Sequence, residues 1–418
     1  MIIYEFKVKG KDRQYRAIDD AIRTSQFIQN KSLRYWMDNK NITKYDLNKY
    51  CAVLAAEFPF ADELNSMARQ SAAERAWSAI ARFYDSVAVA SPRASNCKKK
   101  VLGKRGFPKF KKHCRSVEYK TTGFKLSTNR KAITFSDKKG IGTLKLKGTY
   151  DLNYYDIKQI KRVRLVRRAD GYYVQFAIDV EIKVETRPTQ QLVGIDLGLK
   201  YFIADSKGNV EPAPKFYRKS EKALNRANRK KSKKFSPIKK KAKVRQSNNY
   251  HKARVRYARK HLRVSRQRKE YCKRLAYSVI QSNDLVAYED LNVKGLVRNR
   301  HLAKSISDAG WYTFRLWLEY FGHKYGKVTI AVPPHNTSQN CSNCGEKVKK
   351  SLSTRTHLCP YCGYVADRDL NASINILKLG LSTVGHTGIY ATGDLPSWAI
   401  GASLSSNGES MNVESPSL

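Results

Sequence analysis

The sequence predicts a multidomain α/β protein, and three observations predict it. Two short β-branched runs each carry a single interior acid: Leu192–Ala204 holds Asp196, and Leu285–Leu291 holds Glu289. Helically spaced apolar residues fill long stretches on either side of a strand-rich middle, so packed helices accompany the strands. Two Cys-x-x-Cys pairs, Cys341/Cys344 and Cys359/Cys362, mark a small metal-binding module late in the chain. At 418 residues the chain can bury a sizeable core and divides into two to four domains.

The charge narrows the class of partner. A formal net charge of +46 and a pI of about 10.0 exceed what solubility requires and imply a polyanion, nucleic acid before a membrane surface. The sequence holds no apolar stretch long enough to span a bilayer, and Met1-Ile-Ile-Tyr-Glu-Phe-Lys7 lacks a signal-peptide layout. A cytoplasmic protein with no membrane partner is therefore expected. Of eight cysteines, Cys51, Cys97, Cys114 and Cys272 stand alone and four form the tight pairs, a grouping that favours metal over disulfides in a reducing compartment.

In chain order, residues 2–9 alternate as an edge strand. From Ile18 to about Val89 the spacing turns helical: Phe27, Leu33 and Trp36 suggest one helix, and Ala73, Trp77, Ile80 and Tyr84 line another. The polar face of the later helix, with Arg69 and Gln70, is either solvated or a DNA contact. Ser91–Gly106 reads as a basic loop. Phe107-Pro-Lys-Phe-Lys-Lys112, carrying Lys109, Lys111 and Lys112, opens a strand-rich region with segments at 116–119, 131–135 and 143–146. A hairpin follows, 162–166 with 172–180, turned by Ala169-Asp-Gly171. Short strands with outward basic residues suggest a small barrel lying along a phosphate backbone. No acidic cluster occurs there, so this region binds rather than catalyses.

Leu192–Ala204 reads as one strand entering a hairpin closed by Asp205–Asn209. Gly194 and Gly198 flank Asp196 and would let a ligand approach the backbone. A carboxylate inside an apolar run demands a partner, either a neighbouring base or a metal. Gly-Ile-Asp-Leu-Gly also opens sugar-kinase and actin-like ATPase folds, but no second glycine-rich phosphate loop accompanies it. Residues 215–274 then hold 26 Lys and Arg against Glu221 and Glu270, a balance of +24. Apolar residues spaced through it (Val255, Leu262, Leu275, Val279, Ile280) make this a set of long helices with one packed stripe. Arg229, Lys230, Lys231 and Arg254 are phosphate-contact candidates, and an RNA–DNA duplex would suit such a surface.

Glu289, at the end of its strand, repeats the Asp196 pattern. A core helix over 308–325 and a strand over 328–332 follow. The two cysteine pairs, fourteen residues apart and each followed by glycine (Gly345, Gly363), have the layout of a structural four-thiolate zinc ribbon; redox pairs are the alternative. After them Asp369 stands as the N-cap of a helix and as a third carboxylate, with Asp367 its nearest rival. Residues 381–418 have no Lys or Arg and many Ser and Gly, the composition of a disordered tail. Three acids on separate elements of an α/β core match what two-metal phosphodiester hydrolysis requires, with Mg²⁺ drawing its remaining ligands from water and phosphate.

Together these motifs resemble the TnpB family of transposon-encoded RNA-guided nucleases, similar to compact type V CRISPR effectors. The resemblance rests on Gly194–Gly198, Tyr288–Leu291, the two cysteine pairs and Asp369-Leu-Asn-Ala-Ser-Ile-Asn375. Further matches are Phe107–Lys112, Val117–Tyr119, Ser338–Cys341 and Leu352–Arg355, so it covers roughly residues 1–380. Ser373 stands where the family usually has a second alanine. The resemblance implies an RNase H-like (RuvC) nuclease core with an inserted zinc ribbon, an N-terminal helical recognition domain and a β-barrel wedge domain. The expected boundaries are 1–15 and 107–190 for the wedge, 16–106 for recognition, 191–335 and 367–380 for the nuclease core, and 336–366 for the ribbon. It implies Asp196, Glu289 and Asp369 as ligands of two catalytic Mg²⁺ ions, with Arg355 assisting at the scissile phosphate. It also implies one structural Zn²⁺, a guide RNA from a transposon end, double-stranded target DNA with a short adjacent motif, and a monomer within a prokaryotic ribonucleoprotein. A guided binder that does not cut and a strand-transfer transposase are the competing functions; the presence of all three acids argues against the binder.

Overall fold

A computed structural model describes residues 2–88, 107–242, 244–351 and 354–383. The basic loop expected at 91–106, Cys97, Leu352, Ser353 and the tail beyond Thr383 lie outside them. The chain divides into two compact units, Met1–Glu181 and Ile182 onward.

In the first unit, strand β1 (Ile2–Lys9) precedes four helices, α1 (Asp12–Asp38), α2 (Lys44–Glu57), α3 (Pro59–Asp62) and α4 (Ser66–Ala88). Six more strands follow: β2 (Ser116–Lys120), β3 (Phe124–Leu126), β4 (Ala132–Phe135), β5 (Gly142–Lys147), β6 (Ile160–Arg168) and β7 (Gly171–Ile178). All pair antiparallel in the order β2-β6-β7-β1-β5-β4-β3. The edge strands β2 and β3 are joined by only Thr121–Gly123, a link spanning at most about 15 Å. A flat seven-stranded sheet would hold its edges about 29 Å apart, so this one curls on itself. Alternating residues such as Val163, Leu165, Val174 and Phe176 fill its interior. Phe107–Arg115 leads into β2. It forms no strand, because the Gln26 and Asn30 side chains of α1 hydrogen-bond its backbone and Phe107 packs against Trp36 and Phe83.

The second unit is a five-stranded mixed sheet between helical layers. Its strands are β8 (Leu192–Asp196), β9 (Tyr201–Asp205), β10 (Val210–Pro212), β11 (Leu285–Glu289) and β12 (Val328–Val332), in the order β10-β9-β8-β11-β12. The first three form an antiparallel meander, whereas β11 runs parallel to both β8 and β12. The single strand expected over 192–204 is therefore two. The chain turns at Leu197–Lys200, where a Cβ on Gly198 would fall 2.7 Å from the Tyr201 carbonyl oxygen. Helices α5 (Phe216–Ser232), α6 (Pro237–Lys241) and α7 (Asn248–Ser282) occupy the basic stretch. The buried stripe of α7 is Ala253, Val264, Cys272, Ala276 and Ile280, while Val255 is exposed.

Short helices α8 (Val293–Leu296) and α9 (Ala303–Ala309) lead to α10 (Trp311–Tyr325). The helix expected to begin at Asp308 instead breaks at Gly310, which has a φ of +78°. Asp308 is buried and accepts the Tyr217 and Arg218 backbone N–H groups, capping α5. A two-stranded hairpin, β13 (Thr356–Leu358) and β14 (Val365–Asp367), precedes α11 (Arg368–Thr383). One sheet face packs Val193, Ile195, Val286 and Tyr288 with α7 and α10 residues such as Ile280 and Phe314. The other face packs Leu285, Ala287 and Ile330 with Ile376, Leu377 and Leu381 of α11. Packing thus continues past Gly380, beyond the expected start of the tail. Among the described residues no helix is long and apolar enough to cross a membrane.

Candidate catalytic and metal sites

β8 and β11 run parallel with Ile195 beside Tyr288. The next residue of each strand, Asp196 and Glu289, therefore leaves the sheet at its carboxyl edge, where α/β folds place ligands. Helix α11 crosses β8 so closely that a Cβ on Gly194 would lie 2.1 Å from the Ser373 carbonyl oxygen and 2.7 Å from the Leu377 nitrogen. Gly194 thus makes room for a helix, not for the ligand the sequence suggested. Asp369 lies one helical turn before Ser373, on the side toward which β8 carries Asp196.

The electrostatics register that convergence. Burial, then the charges of Glu289 and Asp369, raise the Asp196 carboxyl to about 7. Burial also raises Glu289, against the opposing effect of the Thr337 hydroxyl, which donates to Glu289 Oε1 at 2.5 Å. Among the described residues the three acids do not form a set with all ligand oxygens within 4.8 Å of one another; the four cysteines do. Asp367 rather than Asp369 caps α11: its Oδ1 accepts the Asp369 N–H at 2.8 Å. Asp369 instead sits in the first turn with Arg355 Nη1 at 3.3 and 3.4 Å from its two oxygens. Arg355 is half exposed and its backbone oxygen accepts the Arg368 N–H.

The cysteines form two matching knuckles. Gly345 and Gly363 adopt φ of +83° and +72° and return their N–H groups to the Cys341 and Cys359 carbonyls at 2.9 and 3.0 Å. Sulfur separations are 3.7 Å for Cys341–Cys362 and 3.6 Å for Cys344–Cys359, and none of the four is in a disulfide. A tetrahedron with Zn–S bonds of about 2.3 Å has sulfur–sulfur edges of about 3.8 Å, so the set fits zinc. The Tyr364 backbone N–H and the Asn343 amide lower Cys362 to about 6, making it thiolate at neutral pH.

Helix α11 ties these knuckles to the sheet. Buried Asn371 accepts the Ser342 N–H at 2.8 Å and donates to the Asn340 carbonyl at 2.8 Å. Asn375 donates to the Thr337 and Asn340 carbonyls at 2.8 and 2.7 Å, and Lys378 reaches the Ser342 carbonyl at 2.5 Å. The sequence offers Asn371 and Asn375 only as parts of the Asp369–Asn375 motif, and Thr337 belongs to none of its motifs. The one signal for Thr337 was its place directly before Ser338-Gln-Asn-Cys341.

The expected nucleic-acid contacts divide. Arg69 is committed to the fold, donating to the carbonyls of Ala61, Asp62 and Leu64 at 3.0, 3.0 and 2.8 Å with its side chain only 13% exposed. This corrects its placement on a free polar face. Gln70 is half-buried beside it. Lys109, Lys111, Lys112, Arg229, Lys230 and Arg254 are exposed. Lys231 is half-buried, with its ammonium 4.5 Å from the Tyr257 ring centroid, packing α5 on α7. Lys222, Arg226, Arg229 and Lys230 on one face of α5 line a concavity of about 400 Å³ with Asn225 and with Lys233 just past the helix end.

Comparison with known proteins agrees with these features. Residues 175–300 match the OrfB_IS605 family, described as a probable transposase, and residues 311–376 match the Cas12f1-like TNB domain. A relative from Streptomyces pristinaespiralis, named "Putative RNA-guided DNA endonuclease", is 36% identical over 196 residues, 46% of either chain. InsQ of Escherichia coli K12, of the same description, is 27% identical over 295 residues, 66% of this chain and 68% of that one. The chain thus spans about half the length of the first relative and two thirds of the second. Over 127 residues, 29% of its length, the chain is also 32% identical to the TnpB-like protein L79 of Acanthamoeba polyphaga mimivirus, of which that stretch is 24%. Its fold is similar to that in a Cas12f1–sgRNA–target DNA complex, with a TM-score of 0.51 and 15% identity, covering 88% of this chain and 83% of that one.

Proposed function

We propose that this TnpB-like protein is an RNA-guided DNA endonuclease that hydrolyses phosphodiester bonds of double-stranded target DNA. In this reading the second unit is an RNase H-like RuvC core, supported by the order β10-β9-β8-β11-β12 with its antiparallel meander and parallel half. The carrying observation is the convergence of Asp196, Glu289 and Asp369, from two adjacent strand ends and a helix, into one shared field. Mutually repelling carboxylates are a hard-oxygen donor set suited to Mg²⁺. Two such ions, when bound, activate water and stabilise the leaving oxygen. Arg355, held at Asp369, would meet a phosphate oxygen in this reading. The cysteine set would hold one zinc ion in a structural role, because four thiolates leave no open position.

The basic faces of α5 and α7 supply a backbone-reading surface for guide RNA and the hybrid duplex, and in the first unit the exposed Lys109, Lys111 and Lys112 are phosphate contacts of their own. The working form is taken as a monomeric ribonucleoprotein. The test is plasmid cleavage by the protein purified with its RNA, in Mg²⁺. Linear product supports the reading, and Asp196→Ala is expected to abolish cutting by at least 10³-fold, a magnitude on the order of a lost metal site, while guided binding persists. Undiminished cutting by that variant overturns the site assignment, and strand joining in place of hydrolysis overturns the reaction.

A further inference from the structure

We infer that Thr337 is a positioning residue for Glu289, held in place by the zinc knuckle and α11 together. This rests on the reading of Asp196, Glu289 and Asp369 as metal ligands. Glu289 is 9% exposed and Thr337 5%, and the Thr337 hydroxyl donates to Oε1 of that carboxylate. A hydroxyl bound to one carboxylate oxygen fixes the plane of the group and leaves the other oxygen to face a cation. Second-layer donors of this kind orient ligands and tune their affinity.

Thr337 is itself restrained. Asn375 of α11 donates to its backbone carbonyl, and to that of Asn340. Four residues past Thr337 the chain enters the first knuckle at Cys341, where Asn371 and Lys378 of the same helix bind Ser342. Lys350 donates to the Ser338 carbonyl from the other side. The loop is thus pinned at both ends to the helix that carries Asp369. One bonded path runs from the cysteine cluster through Thr337 to Glu289, and a second from Asn371 along α11 to Asp369. The zinc module thereby sets the relative placement of two acids that are 80 residues apart in sequence.

The experiment compares Thr337→Val, which removes the hydroxyl at nearly constant volume, with Thr337→Ser, which keeps it. Asp196→Asn and the unaltered protein are measured alongside, all purified with guide RNA. Mn²⁺ binding followed by electron paramagnetic resonance gives a readout independent of turnover, and target-DNA binding in EDTA reports folding and guide loading. The expected result is Mn²⁺ affinity about tenfold weaker in Thr337→Val and near normal in Thr337→Ser, with DNA binding in EDTA unchanged in both. Cleavage should then show a higher Mg²⁺ half-saturation in the valine variant, with partial recovery at high Mg²⁺. If Thr337→Val binds Mn²⁺ normally while Asp196→Asn does not, the positioning role is overturned and the metal site stands. If Asp196→Asn also binds Mn²⁺ normally, the metal-site reading falls, and the role of Thr337 with it.

Discussion

Asp196 is where sequence, burial and chemistry meet most closely. Its raised carboxyl means that the folded state keeps a proton that the unfolded chain releases near pH 4. Between about pH 4 and 7 the folded form therefore binds more protons, and this group makes the protein less stable as pH rises, with the full effect above 7. Asp196→Asn removes the penalty. In metal-free buffer it should raise the melting temperature at pH 8 by roughly 3–8 °C and at pH 5 by much less. Calorimetry with the divalent ions withdrawn checks this, and equal shifts at both pH values would show that Asp196 does not titrate as described. The acid was legible because a carboxylate in an apolar strand is conspicuous in one dimension. Thr337 and Asn371 were not, because Thr and Asn are ordinary turn and helix residues until tertiary packing supplies their partners. Arg69 misled for the same reason: its three carbonyl acceptors belong to the preceding turn, which helical spacing does not reveal.

At the scale of elements, local chemistry was read well and contacts between elements were not. The knuckles follow from spacing alone, since each Cys-x-x-Cys-Gly closes its own turn. The basic helices followed from composition, and so did part of their packed stripe: Ile280 is buried and Leu275 and Val279 pack against the core, whereas Val255 is exposed. Long Lys and Arg stems mask the apolar period, and small Ala253, Cys272 and Ala276 carry the contact in place of Val255. The strand break at Gly198 was hidden because Leu197 and Leu199 flank it without Pro, Asn or Asp. Gly194 was noticed but given the wrong neighbour. Gly194→Ala should destabilise the protein by about 3 kcal/mol, near the upper end for overpacking, because the added methyl meets backbone atoms that cannot rotate away. Urea denaturation tests it, and a loss below about 1 kcal/mol would mean that α11 can slide along β8.

Over the whole molecule, charge is concentrated rather than spread. The stretch 215–274 holds +24 of the +46, and α5 gathers part of it along one face. Backbone contacts of this kind are read out by salt. Replacing Lys222, Arg226, Arg229 and Lys230 together with Gln should flatten the slope of log affinity against log salt by about 3 for guide RNA, at roughly 0.7–0.9 per contact. An unchanged slope would place the RNA elsewhere. The curled sheet of the first unit and the layered sheet of the second were both foreseeable as strand-rich segments. Their strand orders were not, because order depends on pairings between residues distant in sequence, Ile2 with Ile178 in the first unit and Leu192 with Leu285 in the second.

The acids come from the first strand of the second unit, its fourth strand and its last described helix, with 173 positions between Asp196 and Asp369. A ribosome therefore finishes most of this unit before the third acid exists. Under the proposed function, a nascent chain whose α11 has not yet docked over Gly194 would hold its cationic helices for RNA but no complete centre with which to cut. Assembly with a guide would then be free to precede the capacity for damage, a timing set by the order in which the gene spells out the fold.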